Sequence, residues 1–368
     1  MKNNNRLLAP FSAYHLDLKN RIVMAPMSRR RTINNIPEPY VQDYYVQRSG
    51  AGLIIAENVA VAAEGVGYMQ IPGFYNNDQY EAWAAVAKAV HDSGAKIFLQ
   101  LVHTGRIGHP ENHQGKAFPV APSPIAASGV LSIPGGIQAP YPIPEELTTV
   151  HAVKTRIQYF VTAAKAAMAA GFDGVEIHGA HGFLLDQFLS PHTNKRNDEY
   201  GGNMINRSRF LLEVVSEVVK AIGKEYTGIR LSPFSRLYDM AAFPEEAATH
   251  LYLAEELNKL GILYVHFSDQ PSDGQRAIPV AFIKQFRERF QQLMILAGGF
   301  TPAMATAALE ENLADMIAFG RPFIANPDLP ERIRLDLPLA VPDSETFYHG
   351  GKKGLIDYPV HPQGVLTV

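Results

Sequence analysis

The sequence repeats one pattern eight times: a short apolar segment rich in β-branched residues and then, in nearly every case, a stretch with helical periodicity. Apolar segments of this length are typical of buried parallel strands. Parallel strands need a crossover between them, because only antiparallel neighbours can be joined by a tight turn. Eight such units in one chain predict a (β/α)8 TIM barrel of the α/β class rather than an open sheet. The predicted strands cover residues 21–26, 52–57, 96–102, 173–178, 227–232, 263–268, 294–297 and 315–319.

The predicted helices lie between these strands, and no change of composition marks a linker. Residues 1–368 are therefore expected to form a single domain. Residues 7–18 alternate loosely and predict an N-terminal hairpin that caps one end of the barrel. Residues 104–148 are rich in Pro and Gly and predict a long loop insertion after strand 3, of a length that usually forms a lid or an inserted hairpin. The predicted helices cover residues 39–48, 78–93, 152–170, 207–222, 244–260, 280–292 and 301–311.

Composition and charge exclude several classes of protein. The net charge is −3, and the one basic cluster, residues 29–31, is too short for an electrostatic nucleic-acid site. The absence of cysteine removes disulfides, thiolate nucleophiles, iron–sulfur ligation and cysteine zinc sites. No segment reaches the length of a membrane span, and the N-terminus lacks an apolar signal region. We expect a cytoplasmic protein, and the sequence leaves both a monomer and a homodimer open.

The C-terminal ends of the strands converge at one mouth of a barrel, and in this chain those ends are polar. Gln100 and Arg230 each stand between two apolar residues of their strands. A buried arginine requires either a carboxylate partner or an anionic ligand, because desolvation of an unpaired charge is costly. The position of Arg230 at the mouth favours the ligand. The strand-end residues are Pro26, Met27, Ser28, Glu57, Asn58, Gln100, His103, His178, His181, Arg230, His266, Gly298, Gly299, Gly320 and Arg321.

Two glycine-containing turns follow the last two strands. Gly298 and Gly299 come after strand 7, directly before a predicted helix, and Gly320 and Arg321 come after strand 8. Glycines let backbone N–H groups approach an anion, and an arginine adds a bidentate donor. Because the loops after strands 7 and 8 commonly bind phosphate in (β/α)8 barrels, these turns predict a phosphate site.

His178 and His181 follow strand 4 at a spacing of three residues. Such a pair could bind a metal ion, hold an oxyanion, or belong to a satisfied core network. A metal site is not expected, since no third ligand is evident. Two imidazole N–H donors that hold a carbonyl oxygen as it becomes negative fit the pattern better. His266, which stands alone in strand 6, is expected to be structural.

Four long motifs in this order make the chain resemble the Old Yellow Enzyme group of flavin-dependent ene-reductases, most closely its classical bacterial branch. The resemblance covers nearly the whole chain. It rests on the segments NRIVMAPMSR at 20–29, QLVHTGR at 100–106, EIHGAHGFLLDQFLSPHTNKRNDEYGG at 176–202 and FGRPFIANPDL at 319–329.

This resemblance implies an FMN-bearing barrel that a nicotinamide, NADPH or NADH, reduces, and that passes hydride from the flavin to the β-carbon of an electron-poor alkene. It places His178 and His181 on the substrate's carbonyl or nitro oxygen, where other members carry His and Asn. It places the charge of Arg230 beside the reduced flavin ring. Residues that the resemblance assigns to the cofactor are Pro26, Met27, Ser28, Asn58, Gln100, Arg230, Gly298, Gly299, Gly320 and Arg321, and those assigned to the substrate cavity are Tyr68, Val102 and Tyr348.

Two positions depart from the family pattern. Phe183 stands where the family usually has a tyrosine whose hydroxyl protonates the substrate's α-carbon, and phenylalanine has no proton to give. Val102 replaces an aromatic residue that is frequent after the Gln-Leu pair, and this change should widen that side of the pocket.

The leading hypothesis is an FMN-dependent NAD(P)H oxidoreductase that reduces activated C=C bonds of α,β-unsaturated carbonyl or nitro compounds, with water or another hydroxyl as the proton source. The second hypothesis is also a flavin enzyme, but with a different net reaction. Without the tyrosine as proton donor, the reaction is alkene isomerisation or desaturation, or reduction of a nitro or nitroester group. A third hypothesis is a barrel that binds a phosphorylated ligand without redox chemistry.

Overall fold

Eight parallel strands close into a barrel in a computed structural model that describes residues 6–113, 115–269 and 276–361. The strands follow one another around the barrel in chain order, and the last strand pairs with the first to close it. Every neighbouring pair is parallel. The (β/α)8 prediction is therefore confirmed. The strands are β1 (Ile22–Met24), β2 (Leu53–Ala60), β3 (Lys96–Val102), β4 (Gly174–His178), β5 (Thr227–Leu231), β6 (Tyr264–Ser268), β7 (Leu293–Ala297) and β8 (Met316–Phe319).

Helices surround the barrel, and each long one lies where the sequence predicts it. Three short helices, Leu184–Leu189, Arg321–Ala325 and Leu329–Arg334, were not predicted. No helix of the described residues is long and apolar enough to cross a membrane. The helices are α1 (Val41–Val46), α2 (Asn77–Asp92), α3 (Val150–Ala169), α4 (Leu184–Leu189), α5 (Met204–Ile222), α6 (Glu246–Leu260), α7 (Val280–Arg289), α8 (Pro302–Glu310), α9 (Arg321–Ala325) and α10 (Leu329–Arg334).

Side-chain caps set where two long helices begin. The Thr149 side chain accepts a hydrogen bond from the backbone N–H of Ala152, and the Asn203 side chain accepts one from Asn206. These caps satisfy backbone donors that have no partner in the first turn. Helices α3 and α5 therefore begin two and three residues before the predicted starts at 152 and 207, which were placed from the apolar pattern alone.

The N-terminal end of the barrel is apolar and covered. Strands Phe11–Ala13 and Leu16–Leu18 form an antiparallel hairpin, and Leu16 and Leu18 are 1% and 4% exposed. They belong to one apolar cluster with Phe98 and Tyr264 from the first residues of the barrel strands. The hairpin thus closes this end, as predicted, and leaves the opposite end for polar side chains.

The segment after β3 contains the predicted insertion. Strands Val130–Ile133 and Ile137–Pro140 form an antiparallel hairpin, and Val120–Ala121 pairs in parallel with Glu145–Glu146. Arg106, at the start of this segment, is 2% exposed and donates to the carbonyl of Ala126 at 3.2 Å. A buried arginine therefore anchors the insertion to the C-terminal mouth of the barrel.

Two arginines of the basic run 29–31 bind the C-terminal segment. Arg29 Nη2 donates to the carbonyl of Gly354 at 2.7 Å, and Arg31 Nη2 donates to the carbonyl of Thr346 at 2.8 Å. Both arginines are buried, at 1% and 3% exposure. Carbonyl acceptors satisfy a guanidinium without a counter-charge, so this part of the run is structural.

We expect Leu16→Ala to lower the free energy of unfolding by about 2–5 kcal/mol, the usual cost of truncating a buried leucine. Asp17→Ala, a change at the exposed neighbour in the same strand, should shift it by no more than about 0.5 kcal/mol. Urea unfolding followed by circular dichroism measures both. Equal losses for the two variants would show that the hairpin does not seal the barrel.

Candidate active site

The turn after β4 holds the two histidines against each other. The ring centroids of His178 and His181 are 5.2 Å apart, and the rings are 3% and 6% exposed. His181 has a φ of +59°, a region that non-glycine residues rarely adopt. Its backbone N–H donates to Ser232 Oγ at 2.8 Å, and the N–H of Gly182 donates to Asp186 Oδ2 at 2.8 Å. These bonds hold the strained turn in place.

Both imidazoles are neutral at ordinary pH. Burial, and then the charge of Arg230, lowers the pKa of His178 and the pKa of His181 well below the usual 6.5. His178 Nδ1 accepts a hydrogen bond from the backbone N–H of Ala180 at 3.3 Å, so Nε2 carries the ring hydrogen. His178 is thus a neutral donor, as expected for a group that holds an oxygen.

Arg230 lies at the end of β5 with 7% of its surface exposed. Nη2 donates to Ser268 Oγ at 2.9 Å, and His181 Nε2 lies 2.8 Å from the same hydroxyl oxygen. Among the ion pairs of the described residues, none involves Arg230, and its Nε is buried without a partner. The internal ion pair considered from the sequence is therefore not formed, and a buried donor remains for a ligand.

Glu176 is a carboxylate inside the barrel, and the sequence analysis did not single it out. It is fully buried and accepts a hydrogen bond from Gln100 Nε2 at 2.6 Å, and His266 Nδ1 lies 2.9 Å from its second oxygen. Glu176 stands two residues before His178 and therefore points to the same face of β4. That spacing could have identified it. His266 has the structural partner expected of it.

The ends of β1 and β2 meet through polar contacts. Ser28 Oγ donates to Asn58 Oδ1 at 2.5 Å, and the backbone N–H of Arg29 donates to Glu57 Oε2 at 3.0 Å. Burial raises the pKa of Glu57 to about 7, although this hydrogen bond opposes the shift. The pairing fixes Ser28 beside Asn58 at the mouth.

The turns after β7 and β8 have the backbone freedom that the phosphate prediction requires. Gly298 has a φ of +129°, and a Cβ there would lie 2.2 Å from the carbonyl oxygen of Asp269, so only glycine fits. Gly299 has a φ of +63° and open space on its Cβ side. Arg321, directly after Gly320, is exposed. The turn after β7 thus has open space at Gly299, and the turn after β8 has an exposed arginine.

Aromatic rings form one wall beside the histidines. The Phe183 ring lies 4.8 Å from the His178 ring, 6.1 Å from Tyr68 and 5.8 Å from Tyr238, measured between centroids. The Arg30 guanidinium lies 5.3 Å from the centroid of the Tyr68 ring. Tyr68 therefore lies beside Phe183, and its place in a substrate cavity stays a prediction. Phe183 makes ring contacts on three sides.

Tyr348 and Val102, the other expected cavity residues, differ in exposure. The Tyr348 ring is 44% exposed and lies 4.6 Å from the Arg30 guanidinium. Val102 is 0% exposed and packs in one cluster with Phe183 and Tyr141. Neighbouring side chains thus cover the space beside Val102, and the wider pocket stays a prediction.

Four residues of this region were missed from the sequence: Glu176, Ser268, Arg30 and Tyr238. Ser268 ends β6 and could have been found from the strand-end rule that selected the others. Tyr238 comes from the loop after β5, and Arg30 has a φ of +54° in the loop after β1. Neither loop has a periodicity, so no sequence signal indicated which way their side chains turn.

Comparison with known proteins gives one consistent result. The model of the NADH:flavin oxidoreductase / NADH oxidase family matches residues 6–340. The chain is 39% identical to 12-oxophytodienoate reductase 2 of Arabidopsis thaliana, over 97% of this chain and 96% of that protein. It is 38% identical to a putative 12-oxophytodienoate reductase of Oryza sativa, over 99% of this chain and 100% of the relative.

Solved structures agree with these relatives. Morphinone reductase in complex with tetrahydroNAD superposes with a TM-score of 0.93 at 40% identity, covering 99% of this chain and 100% of that one. An old yellow enzyme homologue from Zymomonas mobilis superposes with a TM-score of 0.92 at 37% identity, covering 96% and 99%. The resemblance stated from the motifs is confirmed.

We expect Arg230→Met to raise the pKa of both His178 and His181, because it removes the cation that disfavours their protonated forms. The rings would then protonate at a higher pH than in the parent. Histidine 15N NMR between pH 4 and pH 8 measures this. His250 is the control, because burial lowers its pKa without a contribution from Arg230. Unchanged titration of the pair would contradict the electrostatic assignment.

Proposed function

The chain belongs to the NADH:flavin oxidoreductase / NADH oxidase family, and we propose that it reduces activated C=C bonds of α,β-unsaturated carbonyl or nitro compounds. Family membership makes it an NAD(P)H-dependent FMN oxidoreductase of the Old Yellow Enzyme type, and it removes the non-redox alternative. The observation that carries the proposal is the pair of neutral, buried imidazoles beside a buried arginine.

The chain's own residues fit FMN. Arg230 has a buried Nε without a partner among the described residues, Gly299 has open space on its Cβ side, and Arg321 is exposed. A buried cationic donor suits the carbonyl edge of a flavin ring, and free backbone N–H groups suit a phosphate. FMN, when bound, supplies the hydride. The residues that would hold it are Pro26, Met27, Ser28, Asn58, Gln100, Arg230, Gly298, Gly299, Gly320 and Arg321.

His178 and His181 would hold the oxygen of the substrate. The Nε2–H of His178 is a donor on an uncharged ring, because Nδ1 accepts the hydrogen bond from Ala180. As hydride reaches the β-carbon, negative charge moves to that oxygen, and fixed donors in a water-poor site stabilise it. The nearby charge of Arg230 adds to this stabilisation.

Phe183 supports a second candidate, alkene isomerisation or desaturation, or reduction of a nitro or nitroester group. A phenyl ring at this position cannot protonate carbon. If no other group did so, hydride could return to the flavin and leave an isomer of the substrate. Product analysis separates the two outcomes, since reduction gives the saturated ketone.

We expect the purified protein to be yellow with FMN, to be bleached by NADPH or NADH without oxygen, and to be re-oxidised by 2-cyclohexenone with formation of cyclohexanone. Rapid-mixing absorbance at the flavin band and gas chromatography measure these steps. Rates with the two nicotinamides identify the preferred reductant. A colourless protein that takes up no FMN would refute the proposal.

The His178→Leu variant should slow re-oxidation by cyclohexenone about 100- to 1,000-fold, the usual effect of removing one such donor. His178→Asn, which keeps an N–H donor, should lose less. Re-oxidation by dioxygen, which has no carbonyl oxygen to hold, is the control and should stay unchanged in both. Equal rates for parent and Leu variant would show that His178 does not bind the substrate.

A further inference from the structure

The proposed reduction needs a proton at the α-carbon, and position 183 cannot give one. The inference below rests on that proposed function and concerns the source of this proton. The source must lie near Phe183, because Phe183 lies against His178, with 4.8 Å between the ring centroids. It must also be an acid that stays protonated until the α-carbon becomes strongly basic.

Two tyrosine hydroxyls meet this requirement. Tyr68 OH donates to Tyr238 OH at 2.7 Å, and both rings contact Phe183, with centroids 6.1 Å and 5.8 Å away. The Phe183 ring therefore contacts both tyrosines of the pair and also the His178 ring. Burial raises the pKa of both tyrosines, so both remain protonated at ordinary pH.

The direction of that hydrogen bond makes Tyr238 the better acid. A phenol that accepts a hydrogen bond gains stabilisation when it loses its own proton. Within the described residues, no acceptor is found for the Tyr238 O–H itself. The Arg30 guanidinium, 5.3 Å from the Tyr68 ring, adds a positive charge that lowers the pKa of both phenols and so opposes the effect of burial.

The backbone of Tyr238 is held in a strained conformation by its surroundings. Tyr238 and Asp239 both have a φ of +54°. Arg106 Nη2 donates to the Tyr238 carbonyl at 3.0 Å and also to the Asp239 carboxylate, whose other oxygen accepts from Ser128 N at 3.0 Å. Conformations of this kind are unfavourable and persist where the surrounding structure imposes them. Here they place the phenol beside Phe183.

We propose that Tyr238, assisted by Tyr68, protonates the α-carbon in place of the missing hydroxyl at position 183. After hydride has added to the β-carbon, the electron pair of the former C=C bond forms a C–H bond with the Tyr238 proton. The Tyr238 O–H bond breaks and leaves a phenolate, which the Tyr68 O–H and the Arg30 charge stabilise. Water then returns a proton to Tyr238.

Tyr141 is the matched control for this assignment. Its ring lies 6.4 Å from Tyr238 in the same apolar cluster, and no hydrogen bond between its hydroxyl and either tyrosine of the pair is found in the described structure. Tyr141→Phe therefore removes a hydroxyl from the same surroundings without touching the pair. It should react as the parent does.

The decisive experiment is re-oxidation of the NADPH-reduced protein by 2-methyl-2-cyclohexenone, whose protonated α-carbon becomes a stereocentre. We expect Tyr238→Phe to slow this step about 100-fold or more, as loss of a positioned acid does. The enantiomeric excess of the product should fall, because water protonates either face. Bleaching of the flavin by NADPH should be unchanged. A purely structural role would not alter which face is protonated.

Rescue gives the second readout. Adding Phe183→Tyr to Tyr238→Phe should restore most of the rate and of the enantiomeric excess, because a hydroxyl returns at the neighbouring ring. If Tyr238→Phe fails to bind flavin, Tyr68→Phe tests the same pair, with an expected loss of about tenfold from one missing hydrogen bond to a charged group.

The inference would be overturned if Tyr238→Phe kept the parental rate and enantiomeric excess. Where Tyr238→Phe fails to bind flavin, the same result in Tyr68→Phe would overturn it. Either result would assign the proton to water. Failure of the proposed function has a different signature: NADPH bleaches the parent, but neither it nor any variant is re-oxidised by an enone. That result would also overturn the inference. If the parent reduces enones normally but Tyr141→Phe and Tyr238→Phe are slowed equally, the effect would be one of packing, and the inference would again be wrong.

Discussion

A buried arginine determines how the mouth of this barrel is built. Arg230 lies in the barrel wall, and the nearest interior carboxylate, Glu176, is occupied by Gln100 and His266. Removing a charge from water is costly unless partners replace the water. Within the part of the chain that the structure describes, Arg230 has Ser268 as an acceptor, and its Nε is buried without a partner. The opposite end of the barrel is apolar and covered by the N-terminal hairpin, so these polar side chains lie toward the mouth.

The charge of Arg230 also acts on the two histidines. Burial is the main cause that lowers the pKa of both imidazoles, and the charge of Arg230 adds to it, so both rings are neutral. The same charge would attract the negative charge that forms during hydride addition. Ser268 links Arg230 to His181 through one hydroxyl, and it thereby couples the positions of the cation and the histidine pair.

A second arginine performs a comparable task in the loops. Arg106 joins the insertion after β3 to the loop after β5, and through that loop it sets the position of Tyr238. Phe183 and the strained backbone at Tyr238 therefore belong to one wall. In the basic run, Arg29 and Arg31 bind backbone carbonyls of the C-terminal segment, which leaves Arg30 to face the tyrosine rings.

The sequence by itself determined the barrel, its strand positions and most residues at the mouth, because apolar periodicity is local and strand ends in a closed barrel converge on one side. It also showed that Phe183 has no hydroxyl group that could donate a proton. Only the tertiary structure decided that Glu176 binds Gln100 and His266 rather than Arg230, and that Tyr238 reaches Phe183. Those contacts join residues far apart in the chain through loops without periodicity, and long-range packing alone selects the partners.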